Sequence, residues 1–146
     1  MRVLVIGGGA REHALVARVA HDLEPGSVVC APGNPGIAQL ARTVSLDSAD
    51  TQSALYLAER EDVDLTIVGP ELPLSLGIVD RFTEAGRVIV GPTAAAAQLE
   101  TSKAFAKAFM ARHRVPTARF HTARSLDDAV KVVREGRFGF PVVIKA

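Results

Sequence analysis

The sequence predicts an α/β fold, a parallel sheet with helices on both faces. Three observations point to it. Short apolar runs rich in β-branched residues recur at 2–6, 27–31, 65–68 and 88–90. Stretches with apolar residues at helical spacing separate them. A glycine- or proline-bearing turn follows each run: Gly7-Gly8-Gly9, Pro32-Gly33-Asn34-Pro35-Gly36, Gly69-Pro70-Glu71-Leu72-Pro73 and Gly91-Pro92. Runs that are apolar throughout suit strands buried on both faces, and their alternation with helices is the pattern of a parallel sheet.

The elements follow in order. A strand at 2–6 is ended by the three glycines, and a helix over 11–20 places Leu15 with Val19 and Val16 with Ala20 on its inner side. Pro25-Gly26 turns the chain into a strand at 27–31, and the Pro32–Gly36 stretch is a loop. A helix over 50–61 faces Leu55 and Ala58 inward, and 65–68 is the third strand. A loop over 69–73 leads to a helix at 77–85, stopped by Gly86, and then to a strand at 88–90. The character changes after Pro92. Residues 93–112 read as two helices split near Thr101-Ser102, with Phe105 and Phe109 paired on the second, and Pro116 stops it. A short strand at 119–122 follows, then a helix over 126–134 capped by Ser125 and Asp128. A last strand is expected at 141–146, and a chain ending inside a buried strand is expected to be a piece of a longer one.

The composition narrows the function classes. The chain has 146 residues, enough for about one domain, with 48% hydrophobic and 23% charged residues. Seventeen basic and sixteen acidic side chains read as scattered, which argues against a nucleic-acid binder. Cys30 is the single cysteine, so neither an internal disulfide nor a thiolate metal cluster is expected. No apolar run reaches the length of a membrane span or has the form of a signal peptide. A cytoplasmic, monomeric protein is the expectation.

The candidate site lies at the carboxyl ends of the strands. A strand, then Gly7, Gly8 and Gly9, then a helix can turn backbone N–H groups towards an anion. The dinucleotide fingerprint is incomplete, because Glu12 stands at its third glycine and no acid closes the second strand. Arg11 could clamp a phosphate or form a surface ion pair, and His13 could touch a ligand or be structural. The loops bearing Asn34 and Gly69-Pro70-Glu71 leave the same edge, where Glu71 could accept hydrogen bonds from sugar hydroxyls or an amine. Singly these are ordinary turn residues. Together the three loops suit a small anionic sugar.

Several motifs in order carry a resemblance. They are Gly7-Gly8-Gly9-Ala10-Arg11-Glu12-His13-Ala14-Leu15, Ala31-Pro32-Gly33-Asn34-Pro35-Gly36 and Thr66-Ile67-Val68-Gly69-Pro70-Glu71. Pro73-Leu74, Gly77-Ile78-Val79-Asp80, Gly91-Pro92-Thr93 and Ala96-Ala97-Gln98-Leu99-Glu100 continue the series. Ser102-Lys103-Ala104-Phe105, Arg112-His113 and Pro116-Thr117-Ala118 complete it. Over its whole length the chain resembles the amino-terminal part of the phosphoribosylamine–glycine ligases, of the ATP-grasp superfamily. Ala10 departs from the pattern, since the family usually has glycine there and alanine resists positive φ.

The resemblance implies a Rossmann-like pre-ATP-grasp, substrate-binding domain at 1–100, then a linker helix and the truncated start of an ATP-grasp domain at 101–146. It implies ATP-dependent joining of glycine to 5-phosphoribosylamine in purine biosynthesis, with magnesium or manganese bridging the ATP phosphates. By motif position Lys103 and Lys145 match ATP-contacting lysines. Gly7, Gly8, Gly9, Arg11, Glu12, Asn34, Gly69, Pro70 and Glu71 fall in the substrate-binding loops. No general base is assigned. The family's metal carboxylates, glycine site and mobile phosphate loop are expected beyond residue 146. Two other readings stand beside this one: a different ATP-grasp ligase or carboxylase, and a non-catalytic module binding a nucleotide or sugar phosphate.

Overall fold

The computed structural model describes residues 1–145. The chain divides into two compact units, Met1–Thr101 and Ser102–Ala146.

The first unit is built on five parallel strands: β1 (Val3–Gly7), β2 (Val28–Pro32), β3 (Arg42–Thr43), β4 (Leu65–Val68) and β5 (Ile89–Val90). Their order across the sheet is β3-β2-β1-β4-β5. β1 is therefore central, with β2 following it on one side and β4 on the other. At such a switch point the loops leaving neighbouring strands diverge and open a crevice. Every residue of β1 is buried, which explains why its sequence is apolar throughout.

Helices cover the sheet: α1 (Ala10–Asp22), α2 (Thr51–Arg60), α3 (Glu71–Ser75), α4 (Ile78–Glu84) and α5 (Ala94–Thr101). Two apolar clusters result, one on each face. Leu4, Ile6, Val29 and Ala31 pack with Ala54, Leu55, Ala58, Ile78 and Phe82 on one side. Val3, Val5, Val28 and Cys30 pack with Val16 and Ile37 on the other. Asp50 caps α2, its Oδ1 accepting the Ser53 N–H at 2.9 Å. Asp80 accepts the Ala94 N–H at 2.7 Å and so ties α4 to the first turn of α5.

Several expectations change here. Leu15 is half exposed, so Val16, Val19 and Ala20 make the inner side of α1 without it. β3, two residues long, has no readable sequence pattern. The stretch 69–73 is not all loop, because Pro70 is the cap of α3 and Glu71 its first residue. Prolines in a first helical turn give up no hydrogen bond, so Pro73 is compatible with the helix. Ala10 begins α1 and is not among the residues with positive φ, so alanine replaces the family's glycine there without strain.

The second unit contains α6 (Lys103–Arg112) and α7 (Leu126–Arg134). Ser102 caps α6 through the Phe105 N–H at 3.2 Å, and the Phe105 and Phe109 rings lie 6.3 Å apart. Ser125 caps α7 through the Asp128 N–H, but the Asp128 carboxylate accepts from the Arg124 N–H and contacts the His121 ring instead of closing a box on Ser125. The strand expected at 119–122 is absent: Arg119 instead donates to the carbonyls of Arg137 and Phe138. Residues 141–145 form no strand either, with Val143 and Ile144 exposed, and Ala146 lies outside the described residues. Apolar, β-branched composition favours extension, but a strand also needs a partner to receive its hydrogen bonds. Among the described residues, no helix is long and apolar enough to cross a membrane.

Candidate functional site

The candidate crevice lies at the carboxyl edge of the first unit, where three loops and the start of α1 meet. Gly7 ends β1 with φ +126°, a conformation that side-chain-bearing residues rarely take. Gly9 then serves as the cap of α1. Three consecutive residues of α1 reach in different directions. Arg11 donates to Glu71 Oε1 at 2.8 Å, across to the start of α3. Glu12 turns back, and its Oε2 accepts the Gly9 N–H at 2.6 Å. His13 lies over Gly36, where an added Cβ would come within 2.7 Å of its Cε1.

The loop after β2 is stitched to the glycine loop. Asn34 donates from Nδ2 to the Gly8 carbonyl at 2.9 Å and accepts at Oδ1 from the Ile37 N–H at 2.9 Å. Gly8 and Gly33 approach so closely that a Cβ on Gly8 would collide with the Gly33 carbonyl. The β4 loop closes in from the other side. A Cβ on Gly69 would collide with Glu12 Oε1, and one on Gly7 would come within 2.6 Å of Glu12 Cγ. Gly7, Gly8, Gly9, Arg11, Glu12, Asn34, Gly69, Pro70 and Glu71 thus gather at one edge.

Burial and charge divide these residues. Glu12 is only 4% exposed, and its Oε1 has no hydrogen-bond partner. The Arg11–Glu71 pair stands at the surface. The hydrogen bond and charge of Arg11 hold the Glu71 carboxyl below its ordinary range, and Glu71 in turn raises the Arg11 guanidinium. Beneath the loop, burial is the main cause that pushes the Cys30 thiol up to about 11, and its Sγ donates to the Gly7 carbonyl at 3.3 Å.

The Glu12 position also bears on the incomplete dinucleotide fingerprint. A side chain fills the space that the fingerprint leaves open with its third glycine, and its carboxylate already holds the Gly9 N–H. Pyrophosphate would have to displace Glu12 from that N–H. The sequence marked Glu12 as anomalous, but its contact with Gly69 joins residues far apart in the chain and left no local signal. The contact between His13 and Gly36 was missed for the same reason.

Lys103 and Lys145 both belong to the second unit. Lys103 is the first residue of α6, and Lys145 follows the exposed Val143 and Ile144; both are exposed. The basic residues are less scattered than they first read. Ten of the seventeen Lys and Arg lie in residues 102–146, against three of the sixteen Asp and Glu. That excess suits a polyanionic ligand. An open depression of about 450 Å³ on α7 is lined by Asp127, Lys131, Arg134 and Glu135, of which Asp127, Lys131 and Glu135 follow one another at the i,i+4 spacing of a solvated helix face. Among the described residues, no three His, Cys, Asp or Glu gather to hold a metal ion.

The family model described as phosphoribosylglycinamide synthetase, N domain, matches residues 1–100. The chain belongs to this family. Phosphoribosylglycinamide synthetase relatives named phosphoribosylamine–glycine ligase come from Xylella fastidiosa, at 52% identity over 148 residues, and Escherichia coli, at 49%. Both matches cover 100% of this chain, which spans about a third, 34%, of each relative's length. The resemblance seen in the motifs is therefore borne out. Among solved structures, phosphoribosylamine–glycine ligase from Thermotoga maritima matches with a TM-score of 0.67 at 24% identity, over 92% of this chain and 30% of that one. A biotin carboxylase domain of a single-chain bacterial carboxylase matches with a TM-score of 0.70 at 20% identity, over 100% of this chain and 36% of that one. At such identities the likeness speaks to the fold alone, which the phosphoribosylglycinamide synthetases share with carboxylases.

Proposed function

We propose that this chain forms the substrate-binding amino-terminal domain, residues 1–100, and the start of the ATP-grasp domain, residues 101–146, of an enzyme that joins glycine to 5-phosphoribosylamine. The products are glycinamide ribonucleotide, ADP and phosphate, in purine biosynthesis. The observation that carries this reading is the meeting of three loops at one edge of the sheet. Three loops from the β1, β2 and β4 ends are joined by Asn34 to Gly8 and by Arg11 to Glu71, within the segment matched by the N-domain family.

The chemistry follows from what must be activated. A carboxylate is a poor acylating group. Transfer of the terminal phosphoryl group of ATP to glycine makes an acyl phosphate, which the amine of phosphoribosylamine attacks, releasing phosphate. The protein's contribution is positioning and charge neutralisation. Residues of the crevice would hold the sugar, with Arg11 a nearby cation and Glu12, Asn34 and Glu71 its polar side chains. Lys103 and Lys145, in the basic second unit, would meet triphosphate oxygens as point charges. Magnesium or manganese would neutralise those oxygens further, but the described residues offer no cluster to hold it. The protein is taken to act as a cytoplasmic monomer on small molecules, without nucleic acid or membrane.

The test uses a full-length protein containing this sequence. ADP release is measured with ATP, magnesium, glycine and phosphoribosylamine generated in place, leaving out each in turn. The expected result is release that requires both glycine and phosphoribosylamine and that falls at least about tenfold in Lys145→Ala, the loss of one charge-assisted contact. Release that requires another acid or amine would move the substrate and sink this reading.

A further inference from the structure

We infer that the glycine loop is a seat for the Glu12 carboxylate, and that this carboxylate receives a hydrogen-bond donor of the ligand, a sugar hydroxyl or an amine, while the ligand's phosphate binds elsewhere. The inference rests on the proposed reading of the crevice and adds its polarity.

Three observations carry it. The first is how Glu12 is held. Its side chain lies against Gly7, Gly9 and Gly69, and a Cβ on any of the three would meet it closely. Those glycines come from the ends of two different strands, β1 and β4. Their missing side chains are explained by the room Glu12 occupies, with no phosphate needed to account for them.

The second is the state of the helix N-terminus. A free helix start attracts anions through its unpaired N–H groups and the helix dipole. Here Glu12 Oε2 already takes the Gly9 N–H at 2.6 Å. A phosphate approaching the same turn would have to evict Glu12 from that N–H.

The third is the unused oxygen. Glu12 Oε1 is buried and accepts no hydrogen bond. A buried carboxylate oxygen without a donor is costly, and native proteins rarely leave one without a reason. Arg11, the adjacent cation, is turned away to Glu71. The oxygen lies against Gly69, where β4 ends, so a small donor seated beside Gly69 would satisfy it. Sugar hydroxyls and amines carry such hydrogens, and a phosphate dianion has none.

The test is nuclear magnetic resonance of a ¹⁵N-labelled full-length protein containing this sequence with ribose 5-phosphate and, separately, inorganic phosphate. Ribose 5-phosphate is expected to shift the amides of Gly9, Glu12 and Gly69 saturably, and inorganic phosphate at the same concentration to leave them in place. Glu12→Gln, which presents an amide N–H where Oε1 stood, is expected to weaken ribose 5-phosphate at least about tenfold. The comparison of the two ligands on the unaltered chain does not depend on that variant folding. If inorganic phosphate alone moves the Gly9 amide and competes with ribose 5-phosphate, the inference is wrong and the sugar-phosphate crevice stands. If ribose 5-phosphate moves none of the three amides, the inference and the reading of the crevice fall together.

Discussion

Arg11 and Glu71, sixty positions apart, meet at 2.8 Å and bridge the first turn of α1 to the first residue of α3 across the candidate crevice. The bond spans the β1–β4 switch point of the sheet, so it joins the two elements that would move if the crevice widened. Both side chains are solvent-exposed. Exposed pairs add little to stability and weaken with salt. Glu71→Gln is therefore expected to leave the thermal midpoint within about 2 °C of the parent, because so weak a contact shifts the midpoint little. Ribose 5-phosphate binding should weaken about threefold to tenfold with it, through loss of one charged acceptor. Calorimetry and titration of the same preparation check both halves. A large drop in midpoint would make the pair structural.

Gly69→Ala tests the seating of Glu12. The added methyl would collide with Glu12 Oε1, and the loop or the carboxylate must give way. Overpacking of this kind costs about 1–3 kcal/mol. Glu12→Ala alone loses the Gly9 hydrogen bond, about 1 kcal/mol. In the double variant the methyl meets empty space, so the two losses should add to clearly more than the combined effect, with a coupling on the order of 1 kcal/mol. Urea unfolding of the four proteins measures it, and strict additivity would show that Glu12 is not what Gly69 makes room for.

The contrast between Gly69 and Gly7 shows what the sequence discloses. Gly7 ends an apolar run and was legible as a turn, because one strand and one local signal suffice. The β2 and β4 runs were legible on the same grounds, and so was the convergence of their loops at one edge. Which side chain fills the crevice was not, since Glu12 meets Gly69 only after β1 and β4 have paired. Glu71 was misplaced because prolines on both sides suggested a loop, although a first helical turn accepts them. The strands expected at 119–122 and 141–146 had suitable composition, but pairing is a property of the neighbour. The uneven charge between the two units was open to simple counting and was obscured by an almost neutral total.

Asp50 should make stability fall in acid. Its carboxyl is held below the ordinary value of 3.8, chiefly by the hydrogen bonds of the Ser53 side chain and backbone. A depressed native value means that the stabilisation is complete above 3.8 and is lost as pH falls through the lower, folded value. Asp50→Asn retains an acceptor for the Ser53 N–H but cannot titrate. Its thermal midpoint should change less steeply below pH 3.8 than that of the parent, and equal slopes would remove Asp50 from the acid response.

Cys30 gives the opposite sign at high pH. Its thiol is buried in β2, donates to the Gly7 carbonyl and is pushed up to about 11 from 9.0. The neutral thiol is thus favoured in the folded chain. Its contribution is complete below 9.0 and is lost as pH rises towards 11, where the unfolded thiol has already ionised. The same burial should keep the native thiol unreactive, because the thiolate is the nucleophile and needs access. Labelling with a disulfide reagent at about pH 8 is expected to proceed only as fast as the chain opens, and to accelerate with urea in step with unfolding. Cys30→Ser should flatten the alkaline loss of stability between 9.0 and 11. Rapid labelling of the folded protein, independent of urea, would mean that β2 opens locally beneath the glycine loop, and would make the floor of the crevice mobile instead of fixed.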